Sequence, residues 1–285
     1  MVSAPRPGVN ARKGGGLNHE RTFDLDTHVT PTHVGRATAR VSAGWSIGNA
    51  PNGGYLAALM TRAMVAPLRH KDPFSFSVHF LRPARPGPVS IESEIVREGR
   101  GVSTCMGKLV QDGAEVARAL GTFGDLGTLP TSSAPDVPPP WLPTPDACTR
   151  GRPGPTADIS LAAQVDMRLD PGCVSWLEPK KSNNATLAGW VRFADGRAFD
   201  PLSLLFFADA FPPPVLNLDA ANASWVPSIE LTVHVRRVPR PGGWLRGQFT
   251  TRALVGDYLD EEGMLWDDGG QLVAMSRQLA RLYRP

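Results

Sequence analysis

The sequence V-H-F-L-R-P-A-R-P-G at residues 78–87 returns 155 positions later as V-H-V-R-R-V-P-R-P-G at residues 233–242. Six of the ten residues are identical at matched positions, and each copy follows a long apolar segment and precedes several strand-like segments. The repeated unit is much longer than the roughly 20–50 residues of a solenoid repeat. The repeat therefore predicts two copies of one domain, fused in a single chain.

The composition limits the class of protein. The 285 residues are enough for two domains of ordinary size, and 41% hydrophobic with 20% charged residues is typical of a soluble globular protein. A net charge of +3 is too small to indicate a nucleic-acid partner. No stretch approaches the roughly 20 apolar residues of a membrane span, and the N-terminus lacks the apolar core of a signal peptide. We therefore expect a cytoplasmic protein with no nucleic-acid partner and no membrane span.

The sequence contains no pattern typical of a metal centre. The three cysteines Cys105, Cys148 and Cys173 are scattered, and the histidines lack metal-ligand spacing. We therefore expect no metal and no cofactor.

Composition also divides the chain into segments. Residues 1–30 are rich in Gly, Pro and Arg, which predicts a mobile N-terminal segment. Residues 31–128 and 161–285 hold the two repeats and predict two domains. Residues 129–160 are dense in proline, which is typical of an extended, semi-rigid linker.

Each unit begins with a candidate buried helix, at about 53–66 and about 201–211. Both segments are apolar nearly all round, which indicates helices enclosed by protein, and Asp200-Pro201 is a typical helix start. Strands are predicted around them, at 37–43, 74–82, 88–98, 102–111 and 114–124 in the first unit and at 226–238, 244–254, 257–266 and 271–283 in the second. Strands and helices do not alternate, which argues against a doubly wound sheet. The sequence predicts an α+β double hotdog, two fused units that each wrap an antiparallel sheet around one helix.

Five segments carry a resemblance to a known family. They are G-W-S-I-G-N-A-P-N-G-G-Y-L-A-A-L at 44–59, S-V-H-F-L-R-P at 77–83, W-V-P-S-I-E-L-T-V-H-V-R-R at 225–237, W-L-R-G-Q-F at 244–249 and G-Q-L-V-A-M-S-R-Q-L-A at 270–280. Together they resemble the TesB-like acyl-CoA thioesterases (acyl-CoA thioesterase II and relatives) over about residues 30–130 and 165–283.

The resemblance implies an activity and a set of site residues. This family hydrolyses the thioester between a fatty acyl group and coenzyme A, with no metal and no covalent intermediate. A water is held by an acid on the second-half helix, a hydroxyl residue on the next strand and a glutamine on the last strand. The matching positions are Asp209, Ser228 and Gln278. The family's hydroxyl residue is often threonine, and serine keeps the hydrogen bond.

The same residues can be weighed without the resemblance. Asp209 is an acid in an apolar segment, where a carboxylate is unfavourable unless hydrogen-bonded, and a desolvated carboxylate has a raised pKa suited to a general base. The alternative for Asp209 is a place on an exposed helix stripe or a cap on a neighbouring strand. Gln278 shares a strand face with apolar residues and is expected to be buried with partners. Alternation places Ser228 with Glu230 on the opposite face from Leu231, where a serine is usually a surface residue.

Four residues are candidates for substrate binding. Gly53, Gly54 and Tyr55 lie at a helix start, whose free N–H groups can polarise a thioester carbonyl. Ordinary helix packing is the alternative for these three. Arg82 either contacts coenzyme A phosphates or is a solvated strand end.

Two further motifs favour other chemistries. Gly44–Gly48 fits G-x-S-x-G, but Asn49-Ala50-Pro51 separates the serine from the helix, so we interpret the match as chance. His79 and His234 suggest a hotdog hydratase or dehydratase, although their presence in both units favours a structural role. The sequence predicts an acyl-CoA thioesterase that acts on acyl-CoA or a related acyl thioester as a homo-oligomer, with a hydratase or a non-catalytic acyl-CoA-binding protein as alternatives.

Overall fold

The computed structural model describes residues 22–130, 137–151 and 160–284. Three α-helices lie in these ranges: α1 (Thr22–Asp26), α2 (Gly53–Val65) and α3 (Pro201–Phe207). The strands before the linker are β1 (Val29–His33), β2 (Arg36–Val41), β3 (Ser46–Ile47), β4 (Ala50–Pro51), β5 (Asp72–Phe80), β6 (Gly87–Glu98), β7 (Ser103–Gln111) and β8 (Ala114–Gly124). Those that follow are β9 (Thr149–Arg150), β10 (Val165–Leu169), β11 (Thr186–Phe193), β12 (Ser228–Val235), β13 (Leu245–Val255), β14 (Tyr258–Trp266) and β15 (Leu272–Arg281).

Thirteen of these strands form one antiparallel sheet in the order β1-β2-β6-β7-β8-β5-β12-β15-β14-β13-β11-β10-β9, and β3 pairs with β4 apart from it. The two halves of the sheet join where β5 pairs with β12. Ser77 lies opposite Thr232, its own counterpart 155 residues later. The two copies of the repeat are therefore related by an approximate two-fold axis between these residues. The expected double hotdog is confirmed.

Both central helices are buried, as their all-round apolar character predicted. α2 packs against α3, and a Cβ atom at Gly54 would lie 2.6 Å from the carbonyl oxygen of Leu205 and 2.8 Å from that of Phe206. Glycine at this position therefore sets the distance between the helices. No helix within the described ranges has the length and hydrophobicity needed to cross a membrane.

The second central helix is shorter than predicted. α3 is capped by Asp200, whose carboxylate accepts from the N–H of Ser203 at 2.7 Å, and it ends at Phe207 rather than near residue 211. After Phe207 the backbone changes to the tighter i→i−3 pattern, since the N–H of Asp209 donates to the carbonyl of Phe206 at 3.1 Å. Asp209 consequently lies in the turn after α3.

The N-terminal segment is ordered further than predicted. Residues 1–21 lie outside the described part, but Thr22–Asp26 forms α1 within the predicted mobile segment 1–30. Its Phe23 is fully buried and packs edge-on against Trp45 with ring centroids 5.4 Å apart. One aromatic side chain in a polar, glycine-rich stretch thus joins this end of the chain to the core.

The predicted linker, residues 129–160, is only partly described, since 131–136 and 152–159 lie outside the described ranges. Its middle packs on the second unit. The carbonyl of Val137 accepts from the indole N–H of Trp266 at 2.7 Å, and β9 pairs with β10. The described part of the predicted linker therefore packs against the second unit instead of only connecting the two units.

Candidate active site

The end of α3 meets the start of α2 at Asp209. Its Oδ2 accepts hydrogen bonds from the backbone N–H of Gly54 and from the Asn52 amide, both at 2.9 Å. Asn52 also donates to the backbone carbonyl of Asp209 at 2.7 Å, and its own Oδ1 caps α2 by accepting from the N–H of Tyr55 at 2.8 Å. Asn52 therefore fixes the acid and the helix start together. Sequence reasoning missed its role, although an asparagine before Gly53 is a typical N-cap.

The surroundings of Asp209 hold its pKa near neutral. Burial raises the pKa of the carboxyl from 3.8 to about 6, and hydrogen bonds from Gly54, Gly53, Asn52 and Ser228 oppose that rise. The residue retains some exposure to solvent. A carboxylate with a pKa of about 6 is ionised at neutral pH and is a stronger base than an ordinary aspartate.

Gly53 and Gly54 leave no room for side chains. A Cβ atom at Gly53 would lie 2.7 Å from the ring of Phe80 and 3.0 Å from Oδ2 of Asp209. Their contacts differ from the predicted ones, because Gly54 donates its N–H to Asp209 rather than leaving it free for a thioester oxygen. The partial positive charge of the helix start therefore acts on the acid.

Tyr55 is also occupied within the protein. Its N–H goes to Asn52, and its hydroxyl donates to the carbonyl of Asp26 at 2.7 Å and accepts from the N–H of Ser42 at 3.0 Å. Its buried ring stacks on Trp45. These contacts anchor the start of α2 to the preceding loop.

Ser228 and Gln278 meet across the pair β12–β15. The hydroxyl of Ser228 donates to Oε1 of Gln278 at 2.9 Å, and Gln278 is 9% exposed, as the alternation predicted. The predicted outward face of Ser228 is wrong. A β-bulge between Ser228 and Glu230 places Ser228 opposite Ala280, one position away from regular register, which turns its side chain inward.

The three predicted site residues are thus close together. The Ser228 hydroxyl is hydrogen-bonded to Gln278 and near enough to Asp209 to lower the pKa of that carboxyl. A further residue joins them, since Nε2 of Gln278 donates to Oε1 of Glu261 at 3.2 Å. Sequence reasoning placed Glu261 in the predicted strand 257–266 but assigned it no role. The inward alternation with Leu259 and Leu265 was the available signal.

The remaining candidates lie outside this cluster. His79 and His234 are exposed, on the sheet face opposite to their buried neighbours Val78 and Val233. Arg82 is exposed just beyond β5, and its guanidinium donates to the carbonyl of Glu115 at 2.8 Å. Ser46 is in the short strand β3 and not at a strand-to-helix turn, which agrees with the interpretation of G-x-S-x-G as chance.

Family comparison matches both units. The model of the acyl-CoA thioesterase N-terminal domain matches residues 41–124, and that of the acyl-CoA thioesterase C-terminal domain matches residues 135–282. The second match includes Asp209, Ser228, Glu261 and Gln278.

Solved structures and sequence relatives are similar to this chain over more than four fifths of its length. A thioesterase II candidate from Thermobifida fusca is 34% identical with a TM-score of 0.83, covering 92% of this chain and 98% of that one. A hot dog fold protein of unknown function from Alicyclobacillus acidocaldarius is 25% identical with a TM-score of 0.83, covering 93% and 99%. An uncharacterized protein of Mycobacterium tuberculosis is 28% identical over 265 residues, covering 83% of this chain and 87% of its own.

Proposed function

The chain belongs to the acyl-CoA thioesterase family and is a thioester hydrolase, and from this premise we propose that it converts acyl-CoA to a fatty acid and free coenzyme A with a water activated by Asp209. The observation that carries the proposal is a carboxylate of pKa about 6 held by Gly54 and Asn52 beside the Ser228–Gln278 pair. A general base is most effective when its pKa lies near the working pH.

Asp209 takes a proton from the water as the water attacks the thioester carbonyl. Both hydrogen bonds from Gly54 and Asn52 fall on Oδ2, so Oδ1 is the oxygen assigned to the water proton. The new C–O bond forms a tetrahedral intermediate. Its collapse breaks the C–S bond, and the proton held by Asp209 passes to the departing thiolate. Water and thioester are thus converted to acid and thiol with no net change in the enzyme.

Ser228 and Gln278 orient the water toward the carbonyl carbon of the thioester. Ser228 has one hydroxyl hydrogen, and in the proposed arrangement it is donated to Oε1 of Gln278 rather than to the carboxyl of Asp209. The hydroxyl oxygen is then left to accept the second hydrogen of the water. Gln278 has a second N–H on Nε2, which can donate to the water oxygen. These two contacts and Asp209 leave one lone pair of the water directed at the carbonyl carbon.

The substrate is proposed to be an acyl-CoA, with Arg82 contacting its phosphates. Arg82 lies two residues beyond Phe80, whose ring touches the Gly53 position beside Asp209. The guanidinium is exposed and donates one N–H to the carbonyl of Glu115, which leaves further N–H groups that can bind a phosphate. We also propose that the protein acts in the cytoplasm as a homo-oligomer. Light scattering measures the oligomeric state and tests that part of the proposal.

The histidines favour hydrolysis over hydration. A hydratase that used a histidine–acid pair would need His79 or His234 beside Asp209. Both are exposed, on the sheet face opposite to that of Gln278. Neither histidine is therefore placed to act with the acid as a hydratase would require.

The test is release of free thiol from acyl-CoAs of increasing chain length, measured with a chromogenic thiol reagent in the presence of a chelator. We expect turnover by wild type and a lower kcat for Gln278→Ala, because the water loses one contact. His79→Ala is the matched control and should keep full activity. Binding of acyl-CoA without thiol release would contradict the proposal and favour the non-catalytic alternative.

A further inference from the structure

A second buried carboxyl group lies behind Gln278, and the proposed reaction does not use it. Glu261 on β14 is directly opposite Gln278 on β15 and is 4% exposed. Its Oε1 accepts from Nε2 of Gln278, whereas its buried Oε2 has no hydrogen-bond partner among the described residues. Thr251, directly opposite Glu261 on β13, is also buried. A row of buried polar side chains thus crosses three neighbouring strands and ends at Ser228.

Glu261 fits this place as a neutral acid. An ionised carboxylate with a buried, unpartnered oxygen is strongly unfavourable. Among the described residues, the charge that acts on Glu261 is that of Asp209, and burial together with that charge raises the pKa of Glu261 well above its usual range. Asp209 has several hydrogen-bond donors to stabilise its charge and Glu261 has one. The negative charge therefore resides on Asp209, and Glu261 keeps its proton.

A glutamine amide needs neighbours that distinguish its oxygen from its nitrogen. A flip of the amide exchanges one for the other with almost no change in shape. In this site Ser228 donates to one end of Gln278, and Glu261 accepts from the other. With its proton on Oε2, which has no partner in the described part of the chain, Glu261 presents an acceptor oxygen to the amide, whereas the hydroxyl of Ser228 can either donate or accept. Glu261 therefore favours the orientation in which Nε2 faces it and Oε1 faces Ser228.

We propose that Glu261 is a positioning residue whose neutral carboxyl fixes the amide of Gln278, so that Oε1 meets Ser228 and the second N–H is directed at the reacting water. The inference rests on the proposed function of Gln278. Glu261 touches neither substrate nor water and acts only through that amide.

Three substitutions at Glu261 separate the orientation of the amide from packing. Glu261→Gln keeps a neutral acceptor of the same shape, and we expect kcat within about threefold of wild type. Glu261→Leu keeps much of the volume without the acceptor, and we expect kcat to fall about tenfold, the typical worth of one oriented hydrogen bond, with KM unchanged. Glu261→Met repeats the test with a more flexible apolar chain. Glu262→Leu, at a neighbouring residue that pairs with Arg252, is the control and should retain full activity.

A double-mutant cycle identifies the route of the effect. If Glu261 acts through Gln278, Glu261→Leu adds no further loss of kcat in a Gln278→Ala background. Additive losses, or full activity of both apolar variants at Glu261, would overturn this inference while leaving the proposed function in place. Full activity of Gln278→Ala alone would overturn both.

The pH profile tests the protonation state. With a neutral Glu261, the acid limb of kcat/KM is the same in wild type and Glu261→Gln. If Glu261 were charged, removing its field would move that limb to lower pH by lowering the pKa of Asp209, and a shift of about one unit would overturn the assignment.

Discussion

Replacement of Asp209 by asparagine should remove catalysis and stabilise the fold at the same time. Asparagine keeps an oxygen that can accept from Gly54 and Asn52, but it cannot take a proton from water. General-base groups typically contribute about 10²–10⁴-fold, so kcat should fall by that factor. A residue that served only the fold would not combine lost activity with gained stability.

The expected gain in stability follows from the pKa of Asp209. Its shift from 3.8 to about 6 corresponds to about 3 kcal/mol, at about 1.4 kcal/mol per pKa unit, by which the folded state disfavours the charge. Between those pH values the folded state binds more protons than the unfolded state, so the free energy of unfolding falls as pH rises through the interval. The penalty is complete above about pH 6. A neutral asparagine side chain carries no such penalty, so at pH 7 the variant should gain up to about 3 kcal/mol, and at pH 4, just above the unfolded pKa of 3.8, the difference should fall below about 1 kcal/mol.

Asp166 provides a control of opposite sign. Its carboxylate pairs with Arg168 at 2.8 Å and Arg192 at 3.1 Å, and those cations hold its pKa below the usual value. Asp166→Asn should therefore lower stability at pH 7 and leave thiol release unchanged. Thermal unfolding at pH 4 and pH 7, with thiol release at pH 7, compares the three proteins.

Either of two results would contradict this role of Asp209. Wild-type turnover by folded Asp209→Asn would mean that this carboxylate is not the base. A variant less stable than wild type at pH 7 would mean that the hydrogen bonds from Gly54 and Asn52 stabilise the charged carboxylate by more than its desolvation costs.

Three further results are expected. Gly54→Ala places a Cβ atom 2.6 Å from the carbonyl oxygen of Leu205, so denaturant titration should show that the free energy of unfolding falls by about 1–3 kcal/mol. The kcat should also fall, because the N–H that holds Asp209 moves. Equal stability of variant and wild type would show that α2 and α3 separate freely. Ser228→Thr should keep kcat within a few-fold of wild type, and Ser228→Ala should lower kcat about tenfold, because only threonine keeps the hydroxyl bonded to Gln278. Similar rates for the two variants would exclude that contact from the reaction. Initial rates should show kcat/KM falling about tenfold per pH unit below about pH 6, since Asp209 must be ionised, and a profile flat to pH 4.5 would contradict its role.

The fold was largely predictable because its evidence is local and repeated. Alternation and turn residues located eight of the nine predicted strands within about two residues of their observed ends, and the remaining strand, β12, within about three. β10 and β11 were missed because they belong to a proline-flanked region with weaker turn signals. Phe23 was missed because burial of one aromatic residue depends on a distant partner, Trp45.

The site was predictable only in part, because three of its features depend on contacts between distant segments. The bulge at Ser228 reverses the face that simple alternation assigns. The N–H of Gly54 meets a carboxylate 155 residues away, so its use by the protein could not be inferred from a helix start alone. Glu261 is a candidate for a role in the site because it lies opposite Gln278 on the next strand, and this pairing cannot be inferred from the local sequence.

The approximate two-fold axis implies two similar places between the helices, and only one of them contains an acid, Asp209. Counted from the helix N-caps Asn52 and Asp200, the position that corresponds to Asp209 in the first unit is Thr61, which lines the same cleft as Asp200 and Pro201. At the start of α3 the N-cap is the carboxylate of Asp200, which accepts from the N–H of Ser203 and from the guanidinium of Arg197. At the start of α2 the amide of Asn52 instead donates to Asp209. A carboxylate at position 61 would therefore find no counterpart of the Asn52 donor, and this difference between the two N-caps agrees with the presence of the proposed base in one unit alone.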